Sequence, residues 1–150
     1  MNIIRILSEI SSDICLANHS GRIIKKTSWK QYLKYRIKLS RFATKNNKET
    51  VLNFGVEFPK YDMFFQLWKE IFLKETYICE LSKSKNPVII DVGANIGMSV
   101  LFFKYIYPDC RLIAFEPSPD TFKYLEKNIY NNKLSNVELI NKAIVGKESE

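Results

Sequence analysis

The feature that most constrains this 150-residue chain is the segment at residues 87–99, which reads PVIIDVGANIGMS. Aliphatic residues lead to an acidic residue, two glycines spaced four apart follow, and apolar residues typical of a helix come next. This order predicts a strand, a tight loop and the N-terminus of a helix. In α/β proteins such a loop lies at the carboxyl end of the strand and binds nucleotide-like ligands.

Strands and helices alternate regularly after this loop. We expect strands at residues 88–90, 111–116, 137–140 and 143–145, and helices at residues 98–107 and 119–131. Ser118 caps the second helix, whose inward face carries Phe122, Leu125 and Ile129. This order requires a parallel sheet with right-handed crossovers, and a complete sheet of this kind has helices on both of its faces. The fold class is therefore α/β, with a Rossmann-like half at residues 87–150.

The preceding part of the chain has a different character. Residues 1–50 are interpreted as a basic, mostly helical region, with one helix at residues 2–16 and another that begins after Ser28. The apolar face of the second helix is expected to carry Trp29, Tyr32, Leu33 and Ile37.

Residues 51–86 are interpreted as a strand and a helix that lead into the α/β core. The strand is expected at residues 51–58, after a polar loop at residues 45–49. The helix is expected at residues 61–77, with a buried stripe formed by Phe64, Leu67, Trp68, Ile71 and Phe72.

Positive charge is concentrated in the first half of the chain. Residues 22–48 contain ten basic residues and no acidic one, whereas residues 87–150 contain seven basic and eight acidic residues. The basic segment fits either a solvated helix or a surface for an anionic partner, such as a phosphorylated substrate, a membrane surface or a nucleic acid.

Composition limits the compartment and the metal chemistry. No apolar run approaches the roughly 18–20 residues that span a bilayer, and the first residues lack the features of a signal peptide. The three cysteines are far apart in the sequence, which favours reduced thiols in a cytoplasmic protein. His19 is the only histidine, and no metal site is expected.

The acidic residues around the loop restrict the ligand. The dinucleotide fingerprint has glycine at positions one, three and six, but here the third is Asn95 and the sixth is Met98. Asp91 would repel a pyrophosphate, but it would favour a ligand that carries an ammonium and a sulfonium, such as S-adenosylmethionine (SAM). Glu116 ends the next strand, where it could accept hydrogen bonds from both hydroxyls of a ribose.

Four segments carry a resemblance to a known family. IIDVGANIGMS (residues 89–99) and IAFEPSPDTFKYLEKN (residues 113–128) resemble the SAM-dependent methyltransferases of the FkbM family. The segments WKEIFLKETY (residues 68–77) and NVELINKAIVG (residues 136–146) match the same family in the same order. The resemblance implies a class I methyltransferase fold with SAM as methyl donor.

The resemblance also implies roles for individual residues. Asp91, Gly93, Asn95 and Gly97 would shape the site of the methionyl and sulfonium groups, and Glu116 would hold the ribose. Ser99 and Pro117 would be neighbours of the cofactor, and residues from Asn141 to Ala143 would lie near the adenine.

The predicted parallel sheet is incomplete. The chain ends at Glu150, before the acidic fourth-strand motif of the family, so no catalytic base is named within it. The resemblance implies O-methylation of a small-molecule or glycan hydroxyl by a protein of which this chain is the N-terminal portion. The alternatives are a non-catalytic remnant that binds SAM or a nucleotide, and a basic module for nucleic acid or anionic membrane. Nucleic-acid binding is the least favoured because no recognisable module for it is present.

Overall fold

The computed structural model describes residues 29–40, 47–78 and 86–146. The chain divides into two compact units, of which the first comprises Met1–Asn47 with Lys60–Ile78 and the second Lys48–Pro59 with Cys79–Glu150. Of the described residues, 48–59 lie in the second unit and 60–78 in the first.

In the first unit, aromatic side chains from two helices form the core. Helix α1 is Trp29–Ser40 and helix α2 is Tyr61–Trp68. The ring of Tyr35 in α1 meets that of Trp68 in α2 edge-on, with 4.9 Å between the ring centroids. The predicted helix after Ser28 is confirmed, but Tyr35 is buried whereas Ile37 is half exposed. The predicted helix at residues 2–16 and the side chain of Trp29 lie outside the described part of the structure.

A π-helical turn, Lys69–Leu73, continues α2. The amide of Lys74 donates to the carbonyl of Lys69, five residues earlier, at 2.9 Å. The wider turn changes the helical register, so three consecutive residues are buried at Ile71–Leu73. The predicted stripe is therefore confirmed at Phe64, Trp68, Ile71 and Phe72, whereas Leu67 is only half-buried.

In the second unit, a short hairpin precedes the parallel sheet. Strands β1 (Lys48–Val51) and β2 (Phe54–Glu57) pair antiparallel. The prediction of a single strand at residues 51–58 was therefore wrong. The loop predicted at residues 45–49 is wrong at residues 48 and 49, which belong to β1, and residues 45 and 46 lie outside the described part of the structure. The turn between the strands places Leu52 at φ 56°, a conformation usually signalled by glycine or asparagine, so the sequence lacked the usual mark of a hairpin.

The parallel sheet is the one that the alternation of elements predicts. Its strands are β3 (Val88–Val92), β4 (Arg111–Phe115) and β5 (Val137–Ile140), in that spatial order. Helix α3 (Met98–Ile106) connects β3 to β4, and helix α4 (Pro119–Asn131) connects β4 to β5. The side-chain oxygen of Ser118 accepts from the Thr121 amide, as expected of an N-cap. The strand predicted at residues 143–145 is wrong, because this segment is irregular and exposed.

The first strand of this sheet is buried on one face only. Ile89 is buried, whereas Val88, Ile90 and Val92 are 63%, 61% and 61% exposed. Helix α3, by contrast, is buried at every residue from Met98 to Lys104. No helix in the described ranges is long and apolar enough to cross a membrane.

Candidate functional site

Two nearly buried carboxylates lie at the carboxyl ends of neighbouring strands. Asp91 is 8% exposed and faces Ala114 of β4 across the ladder, and Glu116 follows the end of β4 and is 7% exposed. The hydroxyl of Ser99, in the first turn of α3, donates to Oδ2 of Asp91 at 2.6 Å. Parallel strands end at one edge of the sheet, which is why residues 25 positions apart in the sequence come together here.

Burial raises the pKa of Asp91 above its ordinary value. The hydrogen bond from Ser99 lowers this pKa, and the negative charge of Glu116 raises it by a smaller amount than burial does. A charged Asp91 is therefore stabilised less well by the protein than by water. A positively charged ligand at this edge would compensate for that deficit.

Glu116 ties the glycine loop to the end of β4. Its Oε2 accepts from the amide of Asn95 at 2.9 Å, and its Oε1 accepts from the amide of Ser118 at 2.9 Å. Asn95 has φ 51°, and its side-chain oxygen accepts from the amide of Ile96. Each oxygen of Glu116 uses one lone pair to accept a hydrogen bond from a backbone amide, and its second lone pair can accept from another donor.

The two glycines of the loop have different surroundings, although both have φ 87°. A Cβ at Gly93 would meet no atom within 4 Å, so the backbone there is open to close approach by a ligand. A Cβ at Gly97 would lie 2.8 Å from Cδ1 of Leu125 in α4. Gly97 therefore allows α4 to pack against the start of α3.

Asn141 joins the carboxylate pair through the backbone. Its side-chain nitrogen donates to the carbonyl of Glu116 at 2.7 Å and to that of Pro117 at 3.3 Å. Pro117 is exposed at this edge. Ala143 is also exposed, but it lies three residues beyond the end of β5. The structure thus groups the predicted residues before position 142 around one loop and the ends of the three strands β3, β4 and β5.

The sequence interpretation missed Asn128. This residue of α4 is fully buried, and its side-chain nitrogen donates to the carbonyl of Ile96 in the glycine loop at 2.7 Å. The sequence contains a signal for the burial of Asn128. This residue precedes Ile129 and lies one helical turn beyond Leu125, and both of those residues are predicted on the inward face of the helix. An asparagine on a buried helix face needs hydrogen-bond partners.

Several known proteins are similar to this chain. No family model matches the chain. Methyltransferase sdnD of Sordaria araneosa is 41% identical over 76 residues, which are 49% of this chain and 29% of that protein. The 31-O-demethyl-FK506 methyltransferase FkbM of Streptomyces tacrolimicus is 36% identical over 70 residues, 46% of this chain and 27% of that protein. The chain thus spans less than a third of these two relatives.

A third relative matches a longer part of the chain. The tRNA(Phe) (4-demethylwyosine(37)-C(7)) aminocarboxypropyltransferase of Methanocaldococcus jannaschii is 30% identical over 125 residues, 77% of this chain and 49% of that protein. Among solved structures, M. jannaschii TYW2 in complex with AdoMet has a TM-score of 0.50 and 23% identity, and the match covers 66% of this chain and 45% of that chain. The chain is therefore similar in sequence to methyltransferases of the FkbM family, as predicted, and has a Rossmann-like α/β fold of the methyltransferase type.

Proposed function

We propose that this chain forms the cofactor-binding portion of a SAM-dependent methyltransferase. The observation that carries the proposal is the pair of nearly buried carboxylates, Asp91 and Glu116, on either side of an open glycine loop. The methyltransferase relatives support it, as does the bound AdoMet in the M. jannaschii structure of similar fold.

The residues at the strand ends fit the chemistry of SAM. The ammonium and sulfonium of SAM are positive, and Asp91 is a carboxylate whose charge burial leaves under-stabilised. The ribose offers two hydroxyl donors, and the oxygens of Glu116 each retain an unused lone pair. Gly93 leaves room for a close contact with the backbone.

Each residue then has a defined task. Ser99 orients Asp91 by its hydrogen bond, and Glu116 holds both the loop and the ribose. Asn141 fixes the backbone at Glu116 and Pro117, next to which the adenine would lie. When bound, SAM supplies a methyl group activated for transfer to a nucleophile. The protein contributes orientation, which is the main requirement of such a displacement.

We propose a hydroxyl of a small molecule or glycan as the acceptor, in the cytoplasm. The family resemblance and the name of the FkbM relative support oxygen as the nucleophile. Because the chain spans under a third of the methyltransferase relatives, the groups that bind the acceptor and remove its proton are proposed to lie in the part of the protein that follows.

Binding of SAM to the purified protein, measured by titration calorimetry, tests the cofactor. Glu116→Ala should weaken binding at least tenfold, because it removes the ribose acceptor and releases the loop. Glu126→Ala is the matched control, since it removes the same charge from an exposed position on α4. Equal affinities of the two variants would refute the ribose role, and absence of binding by the wild type would refute the proposed function.

Transfer of the aminocarboxypropyl group is a second candidate, favoured by the relative that matches 77% of the chain. SAM labelled separately in its methyl and its carboxyl group distinguishes the two reactions. Methyl transfer moves only the first label to the acceptor, and aminocarboxypropyl transfer moves only the second. Both labels are followed in the whole protein, where binding of SAM without transfer of either label to hydroxyl acceptors or tRNA would favour a non-catalytic remnant.

A further inference from the structure

Asn128 in the last turn of α4 and Asn132, the C-cap residue that follows α4, bind the backbone of the hairpin strand β2. The side chain of Asn128 accepts from the amide of Glu57 at 2.7 Å and donates to its carbonyl at 2.9 Å. Asn132, one helical turn later, accepts from the amide of Gly55 at 2.9 Å and donates to its carbonyl at 2.7 Å. A carboxamide has the donor and acceptor of a peptide group, so these side chains take the place of a neighbouring strand.

The two asparagines differ in their third hydrogen bond. The remaining donor of Asn128 goes to the carbonyl of Ile96, in the glycine loop, at 2.7 Å. The corresponding donor of Asn132 goes to the carbonyl of Asn128, in the last turn of the helix that Asn132 caps, at 2.7 Å. Asn128 therefore joins the hairpin to the loop, whereas Asn132 holds only the hairpin.

Ile96 lies at the centre of the loop. The preceding residue, Asn95, is held by Glu116, and the following residue, Gly97, packs against Leu125. Asn128 holds the carbonyl between these two points, in a fully buried position where its donors cannot turn to water. The loop is thus fixed from β4 on one side and from α4 on the other.

We propose that Asn128 is a positioning residue for the cofactor loop and couples the hairpin β1–β2 to cofactor binding. This inference rests on the proposed function, because it assigns the loop to SAM. Asn128 touches no cofactor atom in this scheme; it acts by holding the carbonyl of Ile96. Loss of that contact should weaken SAM binding, and SAM binding should in return stabilise the contact between Asn128 and β2.

The variants Asn128→Asp and Asn132→Asp test the coupling as a matched pair. Each variant places a carboxylate oxygen opposite the backbone carbonyls to which the side-chain nitrogen of the asparagine donates. Each also adds one negative charge. We expect Asn128→Asp to raise the Kd for SAM about tenfold or more, and Asn132→Asp to change it less than about twofold. Equal effects of the two variants on the Kd would overturn the proposal.

Hydrogen exchange gives a readout that does not need a variant. The amide of Glu57 donates a hydrogen bond to Asn128, and the amide of Gly55 donates one to Asn132. In the wild-type protein, SAM should slow hydrogen exchange more at the Glu57 amide than at the Gly55 amide. If Asn128→Asp fails to fold, hydrogen exchange in the wild-type protein still tests the coupling. Equal protection of the two amides by SAM would overturn it.

The outcome is separable from failure of the proposed function. If the wild-type protein does not bind SAM, the proposed cofactor is wrong. The remaining claim, that Asn128 holds the glycine loop through the carbonyl of Ile96, is then tested by hydrogen exchange in the loop. The amides of Ile96 and Gly97 should then exchange faster in Asn128→Asp than in Asn132→Asp. Equal exchange in the two variants would show that Asn128 does not hold the loop.

Discussion

At the scale of single residues, the site contains a conflict between stability and binding. Asp91 is almost buried beside the like charge of Glu116, and the hydrogen bond from the hydroxyl of Ser99 offsets part of the cost. A binding site that is destabilised until its ligand arrives is a common form of this conflict. The raised pKa of Asp91 is its physical signature.

Asp91→Asn should therefore leave the protein as stable as the wild type or more stable, and weaken SAM binding. The amide oxygen can still accept from Ser99, but the buried charge is gone. Because the pKa of Asp91 is higher in the folded than in the unfolded state, its charge lowers stability as the pH rises through that folded-state pKa. Thermal unfolding at several pH values should show the advantage of Asp91→Asn growing from acid towards neutral pH. A constant difference would contradict this account.

Glu116 should have the opposite effect on stability. Glu116→Gln replaces one of its acceptor oxygens by a donor, which would face the amide of Asn95 or that of Ser118. We expect the free energy of unfolding to fall by about 1–3 kcal/mol. Chemical denaturation measures this change, with Glu126→Gln as an exposed control that should change stability by less than about 0.5 kcal/mol. A stability equal to that of the control would show that the two backbone contacts contribute nothing.

At the scale of elements, the close packing of α3 and α4 depends on one missing methyl group. Gly97 has both a positive φ and a close neighbour, because an added Cβ would lie 2.8 Å from Cδ1 of the buried Leu125. Gly93 shares the positive φ without the neighbour, and Gly55 has neither. A comparison of substitutions at the three glycines therefore distinguishes the cost of backbone strain from the cost of a steric clash.

Alanine substitutions at these glycines should have graded effects on the free energy of unfolding. Gly55→Ala should cost little, Gly93→Ala about 1–2 kcal/mol from its left-handed backbone, and Gly97→Ala a further 1–3 kcal/mol, roughly, from overpacking. Urea denaturation provides the measurement. Equal costs at Gly93 and Gly97 would mean that Leu125 moves aside without penalty.

Sequence patterns predicted the elements that local chemistry defines. The glycine loop, the cap at Ser118 and the three parallel strands follow from residues adjacent in the chain, and all are confirmed. The hairpin was missed because its second strand is held by Asn128 and Asn132, more than 70 residues away. The π-helical turn was missed because a change of register leaves no mark in apolar spacing that both helix types satisfy.

At the scale of the whole molecule, the sheet presents an apolar surface to solvent. Val88, Ile90 and Val92 are each more than half exposed on the same face of β3. Parallel sheets are usually covered on both faces, and exposed apolar patches of this kind bind other apolar surfaces. The 150-residue chain should therefore bind a hydrophobic dye while folded.

Replacing these three residues by threonine should abolish most of the dye fluorescence and preserve the sheet, because threonine also favours strands. Tyr130→Ser is the control, since Tyr130 is 83% exposed but lies on α4 rather than on this face. Circular dichroism verifies that each variant is folded. Unchanged dye binding by the triple variant would place the apolar surface elsewhere.

The asparagine contacts between α4 and β2 have a consequence for synthesis on the ribosome. The hairpin leaves the ribosome first, but the side chains that hold β2 are encoded 71 and 77 residues later. At about 5–20 residues per second, the hairpin waits roughly 4–15 s for them. An isolated two-stranded hairpin is only marginally stable in water. The hairpin, which is translated earlier, is therefore completed by a segment that is translated later.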